Sequence, residues 1–159
     1  MAEDVEDNAA TSRQVVPTWL ETPATSSVSP PVETREQELP FDQLSWEDFE
    51  RLCLRLARSE SDVEYCRLYG AKGQNQGGID LYARRAGHSR YTVYQCKRVA
   101  AFGPQDIIDA VRAFLAGSWA KTSDRLVLCV KASLVPTQRA DELERQRERL
   151  RGLGIELVP

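Results

Sequence analysis

Histidine is almost missing from this 159-residue chain, which has a single one, His88. A Ser-His-Asp or Cys-His triad needs an imidazole beside its nucleophile, and His88 follows Gly87 in a turn-like stretch. A histidine-based triad and a multi-histidine metal centre are therefore both disfavoured. Cysteine is scarce as well: Cys53, Cys66, Cys96 and Cys129 show no C-x-x-C spacing. Three of them sit in apolar, element-like segments, so buried free thiols are expected, with no disulfide, zinc or redox role. No apolar run reaches the length of a membrane span, and residues 1–8 are acidic where a secretion signal would be basic and then apolar. A cytoplasmic protein without membrane contact is the expectation. The glycine-rich residues 70–78 lack the G-x-x-x-x-G-K-[ST] order of a nucleotide loop and are expected to form a flexible turn approaching a substrate backbone. There is no internal repeat.

The net charge of −3 is unevenly spread. Residues 1–40 carry eight acids and two bases, a net of −6, and the remainder carries sixteen acids and nineteen bases, a net of +3. The second part thus has a weak basic excess, compatible with phosphate binding but well short of a strongly basic nucleic-acid footprint. The first part is rich in Pro, Ser, Thr and Glu without a sustained hydrophobic period. Residues 1–38 are expected to be a disordered acidic tail, with Trp19-Leu20 its only apolar spot, and residues 39–159 to be one folded domain.

Within that domain, Ser45 followed three residues on by Asp48 makes a helix start, and Trp46, Phe49, Cys53, Leu56 and Ala57 recur at helical spacing over 45–58. At 100° per residue Glu50 falls inside this apolar arc, and Glu47 lies at its edge. An inward carboxylate needs a compensating partner. Strands are expected over 63–69, 79–84 and 91–98, the last two joined around Gly87-His88, and a helix over 104–116 opens on Pro104. Residues 126–130 suit a strand covered on both faces. A charged helix follows over 137–151, whose arginines alternate with acids and so form a solvated, self-paired surface, and then a short strand over 155–158. The order αβββαβαβ is that of an α/β protein with a central mixed sheet flanked by helices.

Chemistry concentrates on the second and third strands. Side chains alternate along a strand, so Gln95 and Lys97 face one way and Cys96 the other. Ile79, Leu81 and Ala83 supply an apolar face, leaving Asp80 opposite, where a neighbouring strand can bring it to Gln95 and Lys97. A carboxylate, an amide oxygen and an ammonium in this arrangement are the residue set of a metal-dependent nuclease. Each taken alone has a plainer reading, as a turn aspartate, a solvated lysine or an uninformative glutamine; the joint pattern decides.

The Gly-x-Asp segment followed by a strand ending Gln-Cys-Lys-Arg resembles the PD-(D/E)xK nuclease superfamily, and within it the Mrr-like restriction endonuclease domain. The resemblance spans about residues 41–158 and implies the restriction-endonuclease-like αβββαβ core. It also implies a helix acid in a Phe-Glu pair, which Phe49-Glu50 matches. On this resemblance the chain is expected to be a Mg²⁺-dependent DNA endonuclease, with Mn²⁺ able to substitute, acting in restriction or antiphage defence. Asp80, Gln95, Lys97 and Glu50 would be catalytic, with Asp80, Gln95, the Cys96 backbone carbonyl and Glu50 around the metal. Cutting both strands of a duplex takes two active sites, so a homo-oligomer or a fused or associated sensor domain is expected alongside DNA. The Mrr-like branch carries Gln, here Gln95, where the superfamily usually has Asp or Glu. Gln in place of an acid leaves the metal site one charge short, which keeps two alternatives open: a catalytically inactive nucleic-acid-binding module, or a protein-interaction module on the same fold.

Overall fold

The computed structural model describes residues 41–159 except 71–73, 75 and 100. The acidic tail expected over 1–38, with Trp19-Leu20, lies outside the described residues. Helix α1 runs Trp46–Ser59, β1 Val63–Leu68, β2 Leu81–Arg85, β3 Tyr91–Lys97, α2 Pro104–Ala116, β4 Ser123–Val130, α3 Thr137–Arg151 and β5 Glu156–Val158. The order is αβββαβαβ, as expected. A 3-10 turn at Ser118–Lys121, which no sequence signal announced, leads into β4.

The five strands form one sheet in the order β1-β2-β3-β4-β5. β1, β2 and β3 pair antiparallel, and β4 and β5 add parallel, so the sheet is mixed. One face carries α2 and α3 over Val93, Leu126, Leu128 and Leu157. The other carries α1, which sets Phe49, Cys53 and Ala57 on Cys66, Leu81, Ala83 and Tyr94. Leu126 and Leu128 face the first layer while Val127 and Cys129 face the second, so β4 is covered on both sides.

Local chemistry explains the boundaries. Ser45 accepts from the Asp48 N–H at 3.1 Å and its hydroxyl donates to the Asp48 carboxylate at 2.8 Å, capping α1. The arginines of α3 pair along their own helix, Arg145 with Glu142, Arg147 with Glu144 and Arg151 with Glu148, which is the self-paired surface expected. Two residues of the expected α1 face differ: Trp46 is 39% and Leu56 60% exposed. The helix leans on β1 to β3, so both residues fall beyond the layer it covers.

The apolar face expected of residues 79–83 is also interrupted. Leu81 and Ala83 lie under α1, but Ile79 packs in the opposite layer. Gly77 and Gly78 hold φ of +59° and +78°, so the chain turns before Leu81 and strand alternation does not reach back to Ile79. Gly78 also presses on α2: a Cβ there would meet the Ala113 carbonyl carbon at 2.5 Å. In place of the free turn expected, this end of the glycine-rich segment is docked.

Candidate active site

The site is assembled where β2 begins and β3 ends. The Asp80 N–H donates to the Tyr94 carbonyl at 2.8 Å and the Asp80 carbonyl accepts from the Tyr69 N–H at 2.8 Å, which pins the backbone between β1 and β3. Because the chain turns away at Gly78, no further β2 carbonyl is available to β3, and the Asp80 side chain takes that place. Its Oδ2 accepts from the Cys96 N–H at 2.7 Å. The aspartate thus completes the ladder and is fixed by it.

Glu50 comes from the first turns of α1 and is buried, whereas Glu47 is half-buried, as the helical wheel required. Burial, reinforced by the negative charge of Asp80 and then by Glu47 and Cys53, pushes the Glu50 carboxyl up to about 7. Burial also holds Asp80 above the ordinary carboxylate range; the Cys96 N–H and the Lys97 ammonium pull it back, and Cys53 pushes it up. Asp80 therefore has Glu50 and Lys97 as electrostatic neighbours, one acid and one base.

Gln95 and Lys97 share a face, as alternation predicted. Together with Phe102, Asp106, Asp109 and Ala113 they line a cleft of about 380 Å³ beside α2, while Cys96 packs under α1. Gln95 is 3% exposed and its Oε1 has no hydrogen-bond partner among the described residues. A buried amide oxygen left unpaired is costly and marks a place where a cation or donor can be accepted. Extending the Leu81–Tyr94 pairing by one step sets Asp80 opposite Gln95. Gln95 and Lys97 share the cleft beside α2, and the Asp80 carboxylate feels the Lys97 ammonium while its own charge is felt by Glu50, so Asp80 is the link among the four candidates.

Sequence reasoning missed two acids of the cleft, Asp106 and Asp109. Both are engaged: Asp106 accepts from the Gly103 N–H at 2.7 Å and Asp109 pairs with Arg112 at 2.9 Å. For Asp106 the signal was present, since an acid three residues after a glycine-proline helix start is a capping pattern. Sequence also gave no hint that Cys53, Cys96 and Cys129 converge, their sulfurs all within 4.8 Å of one another. All four cysteines are free thiols, but only Cys53 and Cys66 are buried as expected; Cys96 and Cys129 are partly exposed.

A mixed five-stranded sheet with one helix on one face and two on the other is the architecture of a restriction-endonuclease-like α/β domain. The family model described as Restriction endonuclease, the Mrr catalytic domain, matches residues 41–151, and the chain belongs to that family. No curated protein and no solved structure matches the chain. Among the described residues, no helix is long and apolar enough to cross a membrane.

Proposed function

We propose that the chain is a Mg²⁺-dependent DNA endonuclease that hydrolyses phosphodiester bonds at the junction of β2 and β3, with a role in restriction or antiphage defence. The observation that carries this reading is the Asp80 carboxylate, fixed by the Cys96 N–H on the strand that bears Gln95 and Lys97 and raising the buried Glu50 carboxyl, in a chain of the restriction endonuclease family. The negative charge of half-buried Asp80 raises the buried Glu50 carboxyl, and a cation held by both would relieve that cost.

The donors present fit a hard divalent ion. Asp80 and Glu50 supply carboxylate oxygen, and Gln95 supplies a buried, unpaired amide oxygen to which the Cys96 carbonyl can be added. When bound, Mg²⁺ or Mn²⁺ supplies Lewis acidity to the phosphoryl oxygen and lowers the pKa of the attacking water. Asp80, held by the Cys96 N–H, would be the fixed ligand. Glu50 would be a second carboxylate ligand once ionised, or would orient water. Lys97 presents a compact charge that offsets the negative charge building on the phosphate. The weak basic excess of residues 41–159 supplies only modest grip, so sequence selection and assembly on duplex DNA fall to a second copy or an associated domain.

One observation favours a second reading. Gln95 brings no charge where an acid would, which weakens cation binding, and a module that binds DNA without cutting would retain every contact described. Incubating the purified protein with supercoiled plasmid under Mg²⁺, Mn²⁺ or chelator separates the two. Nicking that depends on the metal supports the endonuclease, and retained plasmid binding without nicking in either metal supports the inactive module.

A further inference from the structure

Cys96 and Cys129 are register partners on the adjacent parallel strands β3 and β4, so their side chains stand next to each other on the sheet face beneath α1. Cys53 descends from α1 onto the same spot. The three sulfurs lie within 4.8 Å of one another. Cys66, the fourth cysteine, sits apart on β1, fully buried. The three come from three different elements, α1, β3 and β4.

We propose that the side-chain sulfurs of Cys53, Cys96 and Cys129 form a binding site for one thiophilic divalent cation of the Zn²⁺ class, adjoining the oxygen donors around Asp80 and distinct from them in its ligand atoms. Zn–S bonds of about 2.3 Å hold three thiolates up to roughly 4 Å apart, so the sulfurs need to close by less than about 1 Å, within the reach of small side-chain rotations. Three sulfurs leave the fourth tetrahedral position to water. An entry path is present: Cys53 and Cys129 line an apolar groove of about 320 Å³ between α1 and β4, with Phe41, Leu56 and Val130 around it. Cys96 and Cys129 are partly exposed, so the residual negative charge of three thiolates on a divalent ion is in part hydrated. Mg²⁺ does not compete, because a small hard ion selects oxygen donors and dehydrates reluctantly. Each thiol gives up its proton to solvent as its sulfur–metal bond forms. The site also touches the nuclease chemistry, since Cys96 is the residue whose N–H holds Asp80.

The test uses Co²⁺ as a spectroscopic stand-in for Zn²⁺, titrated into the reduced full chain with a phosphine reductant and excess Mg²⁺ present. A thiolate-to-cobalt charge-transfer band that saturates at one equivalent and is bleached by one equivalent of Zn²⁺ is the expected result. Cys129→Ser, at a partly exposed position, should lose the band at least tenfold in affinity while melting like the parent. A second measurement needs no variant: Zn²⁺ should shield Cys53, Cys96 and Cys129 from alkylation, read by peptide mass, and leave Cys66 unchanged. No charge-transfer band at one equivalent, a band unaltered in folded Cys129→Ser, or equal labelling with and without Zn²⁺ would each overturn the proposal. None of these readouts depends on cleavage, so the nuclease reading stands or falls separately.

Discussion

Replacing Glu50 by Gln removes a charge without changing shape, and its effect on stability follows from where the carboxyl sits. The group is buried beside Asp80 and titrates at about 7 in place of 4.5. At about 1.36 kcal/mol per unit, ionising it in the folded state costs roughly 3 kcal/mol at full effect. Solvent at the open strand ends screens part of this, leaving about 1–2 kcal/mol. The folded protein holds the proton more tightly than the unfolded chain, so stability falls as pH rises from 4.5 to about 7 and is level beyond. Metal-free Glu50→Gln should therefore be about 1–2 kcal/mol more stable than the parent near pH 8 and equal to it near pH 4.5, measured by urea unfolding with chelator present. Adding Mg²⁺ should raise the parent's midpoint more than the variant's. A variant less stable than the parent at the higher pH would refute the reasoning, because it would mean that a base already compensates the carboxylate.

Asp80→Asn keeps an acceptor for the Cys96 N–H and should fold normally while losing cleavage; Asp80→Ala should lose cleavage and also about 1–3 kcal/mol of stability, since it leaves that N–H unpaired, as thermal melts will record. Lys97→Ala should keep metal and DNA binding and lose on the order of 10² in single-turnover rate; weaker binding with an unchanged rate would make Lys97 a phosphate anchor. Gly78→Ala should cost more than about 2 kcal/mol in denaturant titration, because it forces a Cβ onto the Ala113 carbonyl at a φ of +78°.

The parts legible in the sequence are those where one residue carries one physical instruction. Pro104 and the glycine before it open α2, Ser45 caps α1, and the arginine–acid spacing of α3 describes a helix that pairs with itself. The inward turn of Glu50 and the shared face of Gln95 and Lys97 followed from helical and strand periods alone. Hidden parts depend on distant partners. β4 starts at Ser123, three residues before its apolar run, because the ladder to β3 is made by backbone and ignores the polar side chains of Asp124 and Arg125. Ile79 changes layers because two glycines turn the chain, and Gly78 is required by α2, far along the sequence. The meeting of three cysteines is set by the parallel β3–β4 register, which aligns Cys96 with Cys129, and by the packing of α1, which lays Cys53 over them; spacing along the chain encodes neither.

The central claim is that Asp80 anchors a cation-dependent phosphodiesterase site, and the most direct measurement is supercoiled plasmid nicking by the parent and by Asp80→Asn at matched folded concentration. The account predicts nicking by the parent with Mg²⁺ or Mn²⁺, none with chelator, and none by Asp80→Asn in either metal. Nicking by Asp80→Asn at the parent's rate, or by the parent in chelator, would contradict it.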